Sequence, residues 1–237
     1  MEQVDSTALP PQNAIASDEG LRTFMRDIFN LMAGALTVSG ATAWITYSIL
    51  GTALKGGLLP IVFALTPLAF VLVLSFGIYR LSYSTANLLF WLFSASMGLS
   101  LASIFVVFTA SSIASVFFIS AATFATASLI GYTTKRDLTN MGTFLMVGLD
   151  GILIAGVVNI FLASSALAFA ISVIGVVVFV GLTAYDTQKL KNDYLTNGEV
   201  YGFDSPQKSA LFGAFSLYLN FINIFQMLLN LLGVRDE

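Results

Sequence analysis

The chain has 237 residues, 57% of them hydrophobic and 10% charged, with a mean hydropathy of +0.88. Soluble domains carry about 25% charged residues, so the composition is that of an integral membrane protein. The net charge of -3 without a basic run gives nucleic acid no footing, and the absence of cysteine and histidine excludes disulfides, thiolate nucleophiles, imidazole metal ligands and Ser-His catalysis.

Residues 1–20 are polar and acidic, contain Pro10-Pro11, and are expected to form a disordered tail without the layout of a signal peptide. One membrane domain, residues 21–237, is expected to follow. It holds seven apolar segments, at approximately 28–50, 58–79, 86–108, 112–132, 142–163, 166–187 and 210–233. Each has about the length that spans a bilayer. Each is expected to be a helix, because lipid offers a backbone no hydrogen-bond partner. The fold class is therefore an all-α integral membrane protein, a bundle of seven transmembrane helices. The connections after the third and fifth segments are very short and predict hairpins. The longest, at 188–209, is polar and contains Asn197-Gly198, which predicts a turn.

Lys and Arg set the orientation. With the N-terminus in the cytoplasm, the inner side holds Arg22, Arg26, Arg80, Lys135, Arg136, Lys189, Lys191 and Lys208, eight of the ten basic residues. Only Lys55 and Arg235 fall outside.

Three places could carry chemistry. Asp150, in Val147-Gly148-Leu149-Asp150-Gly151, lies about nine residues into the fifth segment, near mid-membrane. An acid there is expected to be protonated, paired or facing water. Its flanking glycines allow a neighbouring backbone to approach. Structural pairing and a place on the wall of a pore are both open readings.

Asp186 closes the sixth segment, near Lys189 and Lys191. An acid at the edge of a bilayer-length segment is either an interfacial residue paired with a lysine or part of an ion path. Arg80 ends the second segment on the same side, within plausible reach as a latch; alone it reads as an ordinary inner-side anchor.

The last segment is two-faced. At about 100° per residue, Ser209, Ser216, Asn220, Asn223, Gln226 and Asn230 fall within an arc of roughly 120°. Tyr218, Phe221, Phe225 and Leu229 lie opposite, against lipid or apolar neighbours. The polar stripe is either interhelical glue or the wall of a hydrated cavity, with Asn223, Gln226 and Asn230 lining it.

Several stretches together resemble the transmembrane Bax-inhibitor-motif family, in its bacterial branch. They are Gly131-Tyr132-Thr133-Thr134-Lys135-Arg136-Asp137-Leu138, Val158-Asn159-Ile160-Phe161-Leu162, Gly181 to Lys189, and Leu217-Tyr218-Leu219-Asn220-Phe221-Ile222-Asn223. The resemblance covers roughly residues 21–234. It implies six helices around a central one and a multi-pass protein of the bacterial inner membrane. It also implies a pH-sensitive calcium leak, gated by two facing acids near the cytoplasmic side and latched by an arginine of the second helix. Eukaryotic members are associated with suppressing cell death, and some bacterial members with a membrane AAA protease.

Carried over residue by residue, the first gate acid matches Asp186 and the latch matches Arg80. The second gate acid falls at Asn220, where the family's usual text is Leu-Tyr-Leu-Asp-Phe. Two facing acids can share a proton, whereas an Asp–Asn pair cannot. The amide oxygen still suits a hard cation, so Asp186 and Asn220 remain the candidate metal-contacting pair. The resemblance assigns Asp150 no role.

The expected function is thus a non-enzymatic cation leak with calcium as the transported ion and no resident cofactor. The alternative is a regulator that binds a membrane protease or another partner. An intramembrane aspartyl protease is disfavoured: Tyr185-Asp186 fits one of its motifs, but Gly-x-Gly-Asp is replaced by Val147-Gly148-Leu149-Asp150 and the acids come in the wrong order. The charge bias makes a topology prediction. A reporter fused to the C-terminus should face away from the cytoplasm in intact cells, and cytoplasmic activity of that fusion would overturn the helix count or the orientation.

Overall fold

The structure, a computed structural model, describes residues 18–77, 81–197 and 205–236. Eight α-helices are seen there: α1 (Asp18–Leu50), α2 (Leu59–Gly77), α3 (Tyr83–Leu101), α4 (Ile104–Val107), α5 (Ala110–Thr133), α6 (Thr139–Leu162), α7 (Ser165–Asn197) and α8 (Pro206–Leu232). Six spans are long and apolar enough to cross a membrane, with α3 and the short α4 forming one of them. The seventh helix, α2, has 19 residues and an apolar stretch at Leu59–Leu72. The architecture is an all-α membrane bundle.

Two boundaries differ from the sequence expectation. Helix α1 begins at Asp18, so residues 18–20 belong to it and not to the tail; residues 1–17 lie outside the described residues. Helix α7 does not stop near 187. It continues to Asn197, so Asp186 sits well inside a helix rather than at its end. The expected turn at Asn197-Gly198 starts where α7 ends, and Gly198 lies outside the described residues.

At 33 residues each, α1 and α7 run about 50 Å, well past the roughly 30 Å hydrocarbon core. Their overhangs hold each other. Leu21, Phe24, Met25 and Ile28 follow helical spacing and are buried. Phe24 stacks on Tyr194 with ring centroids 4.7 Å apart. Leu190 and Ile28 meet over Gly213 of α8. A hydropathy reading misses both overhangs because their polar faces dilute the apolar ones.

Helix α8 is the centre. It packs against α1, α3, α5 and α7, while α2 lies against α3 and α6 against α7. Its Leu217, Tyr218 and Ile224 are fully enclosed. The Tyr218–Phe221–Phe225 side, expected to meet lipid or apolar neighbours, meets protein. The Tyr218 ring stands edge-on to Phe90 and Phe93 of α3. Its hydroxyl lies 2.7 Å from Ser39 Oγ of α1, and Ser39 donates to the Ser94 carbonyl of α3 at 2.7 Å. That network ties three helices through groups buried from solvent.

The last residues close the end of the bundle opposite the basic loop. Val234 N donates to Ser112 Oγ, Thr109 N to the Val234 carbonyl and Asp236 N to the Val107 carbonyl.

Small residues set the closest crossings. A Cβ on Gly98 would lie 2.5 Å from the Ser39 carbonyl oxygen, and one on Gly131 would collide with the Ala184 carbonyl. One on Gly40 would meet nothing within 4 Å. Gly98→Ala and Gly131→Ala should therefore each destabilise by about 1–3 kcal/mol through overpacking. Gly40→Ala should be neutral or stabilising by up to ~1 kcal/mol through helix propensity. Thermal unfolding in detergent checks this ranking, and equal behaviour of Gly131→Ala and Gly40→Ala would contradict the tight α5–α7 crossing.

Candidate functional site

Asp186 is the focus. Only 7% of it is exposed. Its turn of α7 is enclosed by apolar and hydroxyl groups, including Leu182, Thr183, Thr187 and Leu190, all buried. The two threonine hydroxyls return to their own helix, Thr183 to the Phe179 carbonyl and Thr187 to the Thr183 carbonyl. They are spent on backbone and leave the acid to helix α8.

Helix α8 supplies the partners. Ser216 Oγ donates to Asp186 Oδ2 at 2.7 Å, and Asn220 Nδ2 donates to the same oxygen at 2.8 Å. Ser216 and Asn220 are four residues apart, hence one above the other on one helix face. Asn220 is itself 6% exposed. One carboxylate oxygen thus holds a hydroxyl and a carboxamide in a crossing of the two helices that pack most extensively. The amide's oxygen and nitrogen ends are interchangeable by a half-turn about its terminal bond. The structure shows one of the two orientations, the N–H toward Asp186. In that orientation the site closes on itself. With the carbonyl turned in, Asp186, Asn220 and Ser216 present only oxygens to a guest.

Such oxygens suit a hard cation, but Ca²⁺ takes six to eight of them. Among the described residues there is no group of three or more acids that could hold a metal ion. Three oxygen groups, one of them charged, fall short of such a shell.

The other sequence candidates fall elsewhere. Arg80 lies outside the described residues. Asn223 donates to the Leu219 carbonyl of its own helix at 2.8 Å and is half-buried. Gln226 is half-buried, and Asn230, near the end of α8, is exposed. The polar stripe thus has three environments: buried Ser209 and Asn220, half-buried Ser216, Asn223 and Gln226, and exposed Asn230. Asp150 is exposed on α6 and takes no part in the Asp186 cluster.

The basic end of the site is braced by Gln188, which composition and spacing do not single out, and by Lys191, which the sequence offers as a partner of Asp186 but which is hydrogen-bonded to the Tyr132 carbonyl instead. Gln188, two residues after Asp186, spans the α5–α6 loop. Its Nε2 donates to the Arg136 carbonyl at 2.7 Å, and its Oε1 accepts from Leu138 N at 2.8 Å. Lys191 Nζ donates to the Tyr132 carbonyl at 2.8 Å and lies 5.1 Å from the Tyr132 ring centre. Within that loop Asp137 accepts from the hydroxyl and the amide of Thr139, which hold its carboxyl below the usual carboxylate range. The hint was available: a carboxamide two residues after Asp186 on a helix reaching beyond the bilayer has a loop within reach.

The family model described as "Inhibitor of apoptosis-promoting Bax1" matches residues 21–237. The chain is 43% identical over 221 residues to the inner membrane protein YbhL of Escherichia coli, covering 91% of this chain and 93% of that one. It is 43% identical over 223 residues to the protein RP147 of Rickettsia prowazekii, covering 93% of each. A membrane protein of Streptococcus pyogenes is 34% identical over 230 residues, covering 93% of this chain and 96% of its own. The six apolar spans and the likeness to an inner membrane protein place the chain as a multi-pass protein of the bacterial inner membrane. By the match of the family model over nearly its whole length, the chain belongs to the Bax1-I family, the Bax inhibitor family of membrane proteins.

Proposed function

We propose that the protein is a non-enzymatic cation leak, with calcium the favoured ion, in which the Asp186–Asn220–Ser216 cluster is the gate. The observation that supports this is a buried carboxylate held by two polar side chains of the central helix. A carboxylate within a membrane bundle is costly, and proteins keep such groups on ion paths. The latch expected at Arg80 lies outside the described residues, so the proposal rests on the α7–α8 contact.

In the closed setting Asn220 and Ser216 satisfy Asp186 and the two helices are bridged. A cation arriving from the basic, cytoplasmic end competes for Asp186. Asn220 then turns its carbonyl toward the cation, and Ser216 offers its oxygen in place of its proton. Three oxygens replace part of a hydration shell, and the ion moves on because the set is too small to trap it. The cluster holds one carboxylate, so no proton is shared between two acids and gating by pH through a shared proton is absent.

The test is calcium flux into liposomes holding the purified protein, measured across pH. Asp186→Asn should lower flux by roughly tenfold or more, the scale of ~1.4 kcal/mol in a barrier. The parent protein should respond only weakly to pH between about 6 and 8, whereas Asn220→Asp should make the response steep by creating a proton-sharing pair. If Asn220→Asp leaves both the flux and its pH profile unchanged in a folded protein, the α7–α8 contact is not a gate.

A further inference from the structure

Helix α6 is the least enclosed of the long spans. One side packs on α7 through Gly142, Leu145 and Ile152, where Gly142 lies on the Tyr185 ring. The side pointing away carries Thr143, Val147, Asp150, Ile154, Val157 and Phe161, all exposed and spaced alternately by four and three residues. Asp150 is at the middle of the helix, with eleven residues of α6 before it and twelve after. It makes no hydrogen bond or ion pair among the described residues. Next to it, a Cβ on Gly151 would meet nothing within 4 Å, so the backbone is open to a neighbour. An acid at mid-bilayer depth on an apolar, outward face is held at a cost unless something pairs with it, and lipid tails offer nothing.

We propose that this face of α6 packs against α6 of a second copy of the chain, with the two Asp150 carboxyls hydrogen-bonded across a two-fold axis along the membrane normal. Symmetry carries the choice of partner. Two copies inserted with the same orientation bring Asp150 to the same depth without further adjustment, since a two-fold interface uses one patch twice. A foreign helix would need a matching polar group at that height. The pair is also self-complementary: a carboxyl that keeps its proton is both donor and acceptor, so two of them satisfy each other. The flanking Val147, Ile154 and Val157 are stiff β-branched side chains in a seam of the 3–4 spacing that interlocks two parallel helices. Gly151 lets the backbones close in. A single polar group in such a seam fixes the register of the pair. This interface is remote from the Asp186 cluster and stands whether or not that cluster conducts ions.

The chain has no cysteine, so single cysteines report directly. Val147→Cys and Ile154→Cys, oxidised in native membranes, should give a disulfide-linked dimer of the chain. Leu153→Cys and Ile160→Cys, exposed on the other flank of α6, should give little. With Ile154→Cys as reporter, Asp150→Leu should lower the cross-linked fraction about tenfold, while Asp150→Asn, whose carboxamide is again donor and acceptor, should keep most of it. Thermal unfolding of each variant in detergent confirms that the protomer is intact. Equal cross-linking on both flanks, no cross-linking on either, a cross-link to a different protein, or an Asp150→Leu variant that dimerises as the parent does would each overturn the proposal.

Discussion

Lipid gives a polar group no partner, and this constraint organises the molecule. A hydroxyl, amide or acid placed between the helices has to be answered by another group of the protein, and among the described residues Ser128 Oγ is the buried side-chain atom that goes without. Most of the hydroxyls answer locally. Along α5, Ser115, Ser120, Thr123, Thr126 and Thr133 each return to a carbonyl one turn back. The few that reach across helices fall at the crossings that define the bundle: Ser39 with Tyr218 and Ser94, and Asp186 with Ser216 and Asn220. The side chains that make α8 polar are thus the ones that make it central. It binds α1 and α3 through Tyr218 and α7 through Ser216 and Asn220, on different faces.

How much of this the sequence carried depends on the kind of signal. Spans were legible because twenty apolar residues in a row have one physical meaning. The overhangs of α1 and α7 are not, since they are amphipathic and bury their stripes against each other and against α8. Leu21, Phe24, Met25 and Ile28 have the right spacing, but a search for uniform hydrophobicity discounts the charges between them. The position of Asp186 differs for the same reason: because α7 continues to Asn197, an apparent edge residue is an enclosed one.

The contact of Asp186 with Asn220 was suggested by motif resemblance rather than by spacing. The two residues are 34 positions apart, and nothing in either segment alone states that their faces meet. The face of α8 opposite the stripe was ambiguous between lipid and protein because aromatic residues serve both. Only the four-sided packing of α8 resolves it. Gln188 and Lys191 meet the α5–α6 loop because α7 continues past its apolar segment, which turns a lysine expected beside Asp186 toward the Tyr132 carbonyl.

The order of the chain has a consequence for how the molecule is made. The helix on which α1, α3, α5 and α7 all pack is the last of the described spans to be synthesised. While it is still inside the ribosome, the earlier helices are already in the membrane, with the faces that surround α8 unfilled and Asp186 without Ser216 and Asn220. Assembly is therefore less a stepwise accretion than a closing event, in which the final insertion fills a vacant axis and the residues after Leu232 fasten it to the turn before α5. A nascent chain stalled before that point exposes its unpaired acid and its unfilled seams at once.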